Sequence, residues 1–202
     1  MTAAAIDFYF DFISPYGWIA AERIGSVASR FGRRVEWHPI LLKVTVLERM
    51  GLPPPLETPL KGAYLAHDIR RSLRFHGLTL APRARFGFSS GPAARAVLWA
   101  RAAYPARVEA LVLALYRTHW AGGEDIADPA TVLRVVGGLD LPVDGADAAM
   151  RGGPLRAALR EETDTAMRAG VFGSPTMVVD GEMFWGADRL PAVEAWLERG
   201  GW

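Results

Sequence analysis

Ser14 is the first residue in this chain placed to do chemistry, in the run Ser14-Pro15-Tyr16-Gly17. It separates an aromatic-rich segment from a stretch with helical apolar spacing, so its hydroxyl lies at a helix start. A serine there caps free backbone N–H groups. The same place suits an anion, because the helix dipole and the uncapped amides both favour negative charge. The chain has no cysteine. Disulfides and thiolate metal sites are excluded, and any thiol chemistry must come from a bound small molecule. Ser174-Pro175 is a second candidate, a loop proline directly ahead of an apolar run. Ala187-Asp188-Arg189 is a third. It opens the last predicted helix, where free N–H groups suit a carboxylate and Asp188 suits an ammonium group or caps the helix. Lys61, Tyr64 and Asp68 stand three and four residues apart and share one helix face. That spacing fits a solvated face as well as a ligand face.

These residues need elements to hold them. Ile6 to Phe12 is aromatic and β-branched and predicts a strand. Trp18, Ile19, Ala21, Ile24, Val27, Ala28 and Phe31 recur at helical spacing behind Ser14, with Pro15 in the first turn and Gly32 at the end. Val35 to Ile40 predicts a second strand, with Pro39 near its end. Strand, helix, strand in this order is a right-handed βαβ unit with parallel strands. Leu52-Pro53-Pro54-Pro55-Leu56 is a loop. Helices are predicted over Lys61–His76, Pro92–Ala103, Pro105–Trp120, Pro129–Val136 and Glu161–Ala169. Thr176–Val179 and Glu182–Trp185 flank Asp180-Gly181, a two-residue hairpin turn, and a helix follows over Arg189–Arg199. With the helical block set aside, the remainder predicts a thioredoxin-like sheet: two parallel strands first, an antiparallel hairpin last.

The chain has 202 residues, is 50% hydrophobic, and carries a formal charge of +1. Its size is enough for a core that needs no staple. Its charge supplies no reason to expect nucleic acid or an anionic membrane as partner. MTAAAIDFYF lacks the basic start of a signal peptide, and no run is long enough to span a bilayer, so a cytoplasmic protein is expected. His38, His67, His76 and His119 form no metal-ligand pair by spacing. The arginines from Arg70 to Arg85 read as a solvated face. No Walker, dinucleotide or Ser-elbow motif is present.

DFYFDFISPYG, KGAYLAHDIRR and GVFGSPTMVVDGEMFWGADRL together resemble the kappa-class glutathione transferase and 2-hydroxychromene-2-carboxylate isomerase family, on the DsbA-like branch of the thioredoxin fold. The resemblance implies a four-stranded mixed α/β sheet with a large helical insertion between its βαβ and ββα halves. Residues 1–41 and 170–202 would form the thioredoxin-like domain and 42–169 the mainly helical insertion. It implies glutathione as cofactor. Ser14 would take the place of the reactive cysteine of redox members and donate a hydrogen bond to the glutathione thiolate. Ser174-Pro175 would be cis, with its backbone pairing the peptide-like ligand. Lys61 would meet the glycyl carboxylate, with Tyr64 and Asp68 nearby. Ala187, Asp188 and Arg189 would hold the γ-glutamyl end.

The activity implied is interconversion of 2-hydroxychromene-2-carboxylate and trans-o-hydroxybenzylidenepyruvate, in aromatic degradation. Tyr16 or a basic residue near Lys43 or Arg85 would steer the substrate carboxylate. Glutathione transfer, peroxide reduction, or a binding protein without chemistry are the alternatives. A homodimer acting on a small aromatic-derived carboxylate is expected. Three positions depart from the family pattern. Leu52 follows Gly51 where an Asn is common, Ser89-Ser90-Gly91 replaces an Asn-Ser pair, and Ser174 stands where an apolar residue is common. The first two bear on substrate identity and affinity more than on the fold.

Overall fold

A computed structural model describes residues 4–202. Met1 to Ala3, part of the N-terminal run MTAAAIDFYF, lie outside the described residues. Strand β1 (Ala5–Phe10) alternates half-buried and buried positions, with Ile6, Phe8 and Phe10 turned into the core. Helix α1 (Pro15–Arg30) follows, started by Ser14 and Pro15. Strand β2 (Arg34–Pro39) lies parallel to β1, with Ala5 opposite Arg34 and Phe10 opposite Pro39. Helices α2 (Lys61–Phe75), α3 (Gly91–Ala103), α4 (Val108–Tyr116), α5 (Pro129–Gly137), α6 (Val143–Arg151) and α7 (Gly153–Arg168) form the middle. Strands β3 (Thr176–Val179) and β4 (Glu182–Trp185) and helix α8 (Leu190–Arg199) close the chain. The strand order is β2-β1-β3-β4, with β3 antiparallel to both neighbours. This is the mixed, thioredoxin-like sheet expected from the sequence.

The register has a direct consequence. Tyr9 pairs with Thr176, and Thr176 pairs with Trp185. The ends of β1, β2 and β4 and the start of β3 therefore meet at one edge of the sheet. Ser14, Leu42, Ser174 and Ala187 all belong to loops or turns at that edge.

An aromatic core supports the edge. Phe8 and Trp37 meet edge to face at 5.1 Å between centroids, and Phe12 lies 4.8 Å from the Tyr116 ring. Trp18 and Ile19 of α1, Val97 of α3, Leu111 of α4, Val136 of α5 and Val193 of α8 join the same cluster. Each such side chain contributes roughly 1.5–3 kcal/mol when fully buried. Among the described residues no helix is long and apolar enough to cross a membrane.

Three helical expectations change. Pro105–Trp120 is not one helix. Pro105–Arg107 is a 3-10 turn, α4 ends at Tyr116, and Arg117–Ala121 widens into a π-type turn. The widening carries both His119 and Trp120 into the interior. Helix α7 begins at Gly153 rather than near Glu161, because Pro154 is accommodated in its first turn. Helix α6 was not expected. Its buried stripe is only Ala146 and Met150, and Gly145 lies within it.

On the sheet face opposite the aromatic core, His38 bridges two carboxylates. Its Nε2 lies 3.0 Å from Asp7 Oδ1 and its Nδ1 lies 2.6 Å from Glu162 Oε1. Arg101 grips both oxygens of Glu162 at 2.7 Å. The cluster ties α3 and α7 to β1 and β2. Burial opposes a charged His38, but the hydrogen bonds it donates to Asp7 and Glu162 outweigh burial and raise its pKa. Burial also opposes a charged Glu162, yet Arg101 and His38 draw its pKa down to about 2. A depressed carboxyl contributes stability above its unfolded pKa and loses it as pH falls through the folded one. Glu162→Gln is therefore expected to cost up to about 3 kcal/mol at pH 7. The gap from wild type should close as pH falls from about 4.5 toward 2. Urea unfolding across that range measures it.

Candidate functional site

Ser14 is 6% exposed and has two partners. Its Oγ accepts from the Gly17 N–H at 3.0 Å, the N-cap bond expected of it. The same hydroxyl donates to the Ser174 carbonyl at 2.9 Å. The Ser174–Pro175 bond is cis, and the loop that carries it packs directly on the start of α1. Pro15 has no N–H and Gly17's is taken, so Tyr16 contributes the first free amide of the helix. The Ser174 N–H has no partner among the described residues. The Ser14 hydroxyl, the Tyr16 amide and the Ser174 amide thus all lie where the start of α1 meets the cis-proline loop.

Beneath them lies Asp11, 2% exposed, which the sequence reading passed over. Its Oδ1 accepts from the Ile13 N–H at 3.2 Å and its Oδ2 from the Leu42 N–H at 2.8 Å. Burial pushes its pKa up to about 6, against the Ser90 side chain and backbone amides that favour the charged form. Tyr116 donates to the Asp11 main-chain oxygen at 3.0 Å. Gly17 leaves room for this, because a Cβ there would lie 2.6 Å from the Tyr116 hydroxyl.

Helix α2 places two of its three candidates together. Tyr64 donates to Asp68 at 3.4 Å, and Arg71 pairs with Asp68 as well. Asp68 accepts from Tyr16 at 2.6 Å, so the α2 face is bonded to the first turn of α1. Lys61 is exposed and forms no ion pair among the described residues. Tyr16 is therefore engaged as a donor to Asp68, and its pKa is raised by burial and by that carboxylate.

Ala187–Arg189 is a 3-10 turn rather than the first turn of α8, and Arg189 rather than Asp188 occupies the N-cap position. Asp188 is exposed and lies 3.3 Å from the Arg189 guanidinium. Gly186, at φ 113°, donates to the Pro175 carbonyl at 2.9 Å, which brings this turn against the cis-proline loop. Lys43 is exposed at the end of the loop after β2. Arg85 lies elsewhere, on a cavity of about 580 Å³ shared with Arg83, His119, Gly123, Glu124 and Asp125. Both ring nitrogens of buried His119 face carbonyl oxygens, of Arg85 at 2.8 Å and Glu124 at 2.9 Å. A second cavity, about 340 Å³, lies beside Tyr9, His38 and Glu162. Neither cavity contains Ser14.

A mixed four-stranded sheet with a helix start facing a cis-proline loop defines a thioredoxin-fold protein. The match is specific: residues 5–198 fit the DSBA-like thioredoxin domain, and the chain belongs to that family. It is 32% identical to a 2-hydroxychromene-2-carboxylate isomerase of Sphingobium xenophagum, over 95% of this chain and 97% of that protein. It is 26% identical to human glutathione S-transferase kappa 1, over 95% and 92%. A solved 2-hydroxychromene-2-carboxylate isomerase superposes with a TM-score of 0.86 at 25% identity, covering 96% of this chain and 95% of that one.

The bond between α1 and α2 is testable. Tyr16's hydrogen bond is the leading cause of Asp68's lowered pKa. Tyr16→Phe should therefore raise the Asp68 titration midpoint, followed by carboxyl-carbon NMR. An unchanged midpoint would show that Arg71 and Ser72 hold the carboxylate without Tyr16.

Proposed function

We propose that this chain is a glutathione-dependent isomerase that interconverts 2-hydroxychromene-2-carboxylate and trans-o-hydroxybenzylidenepyruvate, a step of aromatic degradation. The observation that carries the reading is the Ser14 hydroxyl, at the α1 N-terminus and 2.9 Å from the carbonyl ahead of a cis-proline. The groups there fit glutathione, a peptide-like ligand with a thiol, two carboxylates and an ammonium. Ser174 offers a free amide to its backbone, Lys61 a cation to one carboxylate, and the Ala187–Arg189 turn a place for the γ-glutamyl end.

Bound glutathione supplies the thiolate that adds reversibly to the conjugated substrate, leaving a single bond that rotates before elimination. Ser14 holds that thiolate. To do so its hydroxyl turns its proton from the Ser174 carbonyl to the sulfur, while a lone pair stays on the Gly17 amide. The α1 dipole and the Tyr16 amide add to the same stabilisation and lower the thiol's pKa. Tyr16 is committed to Asp68, so it shapes the site rather than steering the substrate carboxylate. Lys43, exposed at the same edge of the sheet, is the better placed of the two cations considered, since Arg85 lines the separate cavity.

A kappa-type transferase reading uses the same residues and rests on the likeness to the human transferase. The reading includes a cytoplasmic homodimer and a small aromatic-derived carboxylate as substrate.

Isomerase turnover measured with and without glutathione tests the proposal. No turnover with the chromene carboxylate, but conjugation of an electrophile, would select the transferase. Ser14→Ala should cost about 0.5–2 kcal/mol of stability through the lost cap. Losing a hydrogen bond to a charged group is worth about 1.5–3 kcal/mol, so turnover near neutral pH should fall roughly ten- to a hundredfold. Part of the loss should return at higher pH, as the thiol ionises unaided. Equal thiolate absorbance in wild type and variant across pH would leave Ser14 as a cap alone.

A further inference from the structure

We propose that Asp11 is the positioning residue of this site: its carboxylate and main chain together set the distance between the Ser14 hydroxyl and the Ser174 backbone, so the site is assembled only when Asp11 is charged. The proposal rests on the glutathione reading for its functional consequence, but its structural content does not.

Asp11 touches the β1–α1 turn, the loop after β2, the start of α3 and the cis-proline loop. Its carboxylate accepts from Ile13, in the turn that delivers Ser14, and from Leu42, in the loop after β2. The Ser90 side chain, at the start of α3, favours its charged form. Its main-chain oxygen accepts from the Ser14 N–H at 3.0 Å and from Tyr116 of α4. Its main-chain N–H donates to Ser174 Oγ at 2.9 Å. A serine at position 174 therefore has a defined role: its hydroxyl anchors the cis-proline loop to β1's end. One residue thus links Ser14, Leu42, Ser174 and Tyr116, which come from four separate parts of the chain.

The carboxylate has no ion-pair partner among the described residues. The titratable group facing it is Tyr116, a neutral phenol at working pH, and the rest of its surroundings are Ser90 and the backbone amides of Phe12, Ile13 and Leu42. Two oxygens receive two backbone N–H groups. A proton on either oxygen makes that atom a poor acceptor, and an amide facing it loses its partner. Burial brings this event to about pH 6. Below that pH the Ile13 turn or the Leu42 loop is released, and Ser14 moves with Ile13. The neutral form should resemble Asp11→Asn, whose amide nitrogen meets one of the two N–H donors.

Two measurements on the full chain decide the matter. The first uses the ligand-free protein: amide NMR shifts of Ile13, Ser14, Leu42 and Ser174 between pH 5 and 7. All four should move with one midpoint near 6, and the movement should vanish in Asp11→Asn. Movement of Ile13 and Leu42 without Ser14 and Ser174, or titration that persists in Asp11→Asn, overturns the proposal. Ser90→Ala keeps the carboxyl and removes a group favouring its charge, so the shared midpoint should rise. This variant serves if Asp11→Asn does not fold, and an unmoved midpoint counts against the proposal.

The second measurement is calorimetric affinity over the same range for S-methylglutathione, which keeps the peptide backbone but has no thiol to titrate, so the ligand's own groups change little. Wild type should weaken about tenfold between pH 7 and 5, as expected for a binding form lost one unit below its pKa. Asp11→Asn should be weak and flat. A variant that keeps the wild-type pH profile overturns the positioning role. If wild type shows no glutathione affinity at any pH, the glutathione reading fails, and the amide titration alone decides for or against Asp11.

Discussion

The hydrogen bond from Ser14 to the Ser174 carbonyl joins residues 160 positions apart, and it sets the start of α1 against the cis-proline loop. One partner starts the helix of the first βαβ unit; the other precedes the first strand of the terminal hairpin. A neutral hydrogen bond contributes about 1 kcal/mol net, so its value here is geometric. Serine suits the place for a further reason. Its oxygen caps the helix through a lone pair while its single proton points away, to Ser174. Rotating that proton toward a bound anion leaves the cap intact. A helix start capped in this way can therefore receive an anion without being loosened by it.

Around this bond the chain uses mostly backbone groups. Asp11, Tyr116 and Trp120 each reach a main-chain atom of the first turn: Tyr116 bonds Asp11 O and Trp120 bonds Phe12 O at 3.0 Å. Buried polar atoms are costly unless paired, and here the pairing is also what fixes the turn. The aromatic rings supply the apolar mass, and their polar tips hold the loop. Gly17 completes the arrangement by admitting the Tyr116 hydroxyl against α1, where any side chain would intrude.

The strands, the Ser14 cap and the Asp180-Gly181 hairpin were legible because each is a local signal, whereas the cis-proline was expected only from the thioredoxin-like frame and the family resemblance. Alternation, a capping residue and a turn dipeptide are written within a few positions. What escaped depends on long-range contact. Asp11 reads as one acid in a hydrophobic strand, and nothing near it in sequence shows that Leu42, Ser174 and Tyr116 will enclose it. The aromatic run predicts a strand through Phe12, and β1 ends at Phe10, so Asp11 already belongs to the turn. His38 reads as a lone histidine, yet Asp7 and Glu162 close on it from 31 and 124 positions away. Helix α6 escaped because its stripe is two residues of modest size. The α2 face was legible as a face, but its bond to Tyr16 was not, since the spacing within α2 carries no information about α1.

The buried charges also set how stability and site assembly relate. Glu162 adds stability as pH rises from about 2 to 4.5, and holds it thereafter. Asp11 acts in the opposite sense. Its folded-state pKa is raised from 3.8 to about 6, so the fold favours its proton and loses up to about 3 kcal/mol as pH climbs through that interval. His38, with a raised pKa, contributes stability that is full below its unfolded value of 6.5 and declines as pH rises through its folded value. These three groups together favour the fold most near pH 4 to 5, where Asp11 is largely protonated. At neutral pH the chain holds a buried carboxylate with no ion-pair partner among the described residues, at a cost in stability. The carboxylate's oxygens are what align Ile13 and Leu42, so the less stable charge state is the one in which the β1–α1 turn and the loop after β2 are both tied. The His38 and Glu162 cluster, on the other face of the sheet, offsets part of that cost without touching the site.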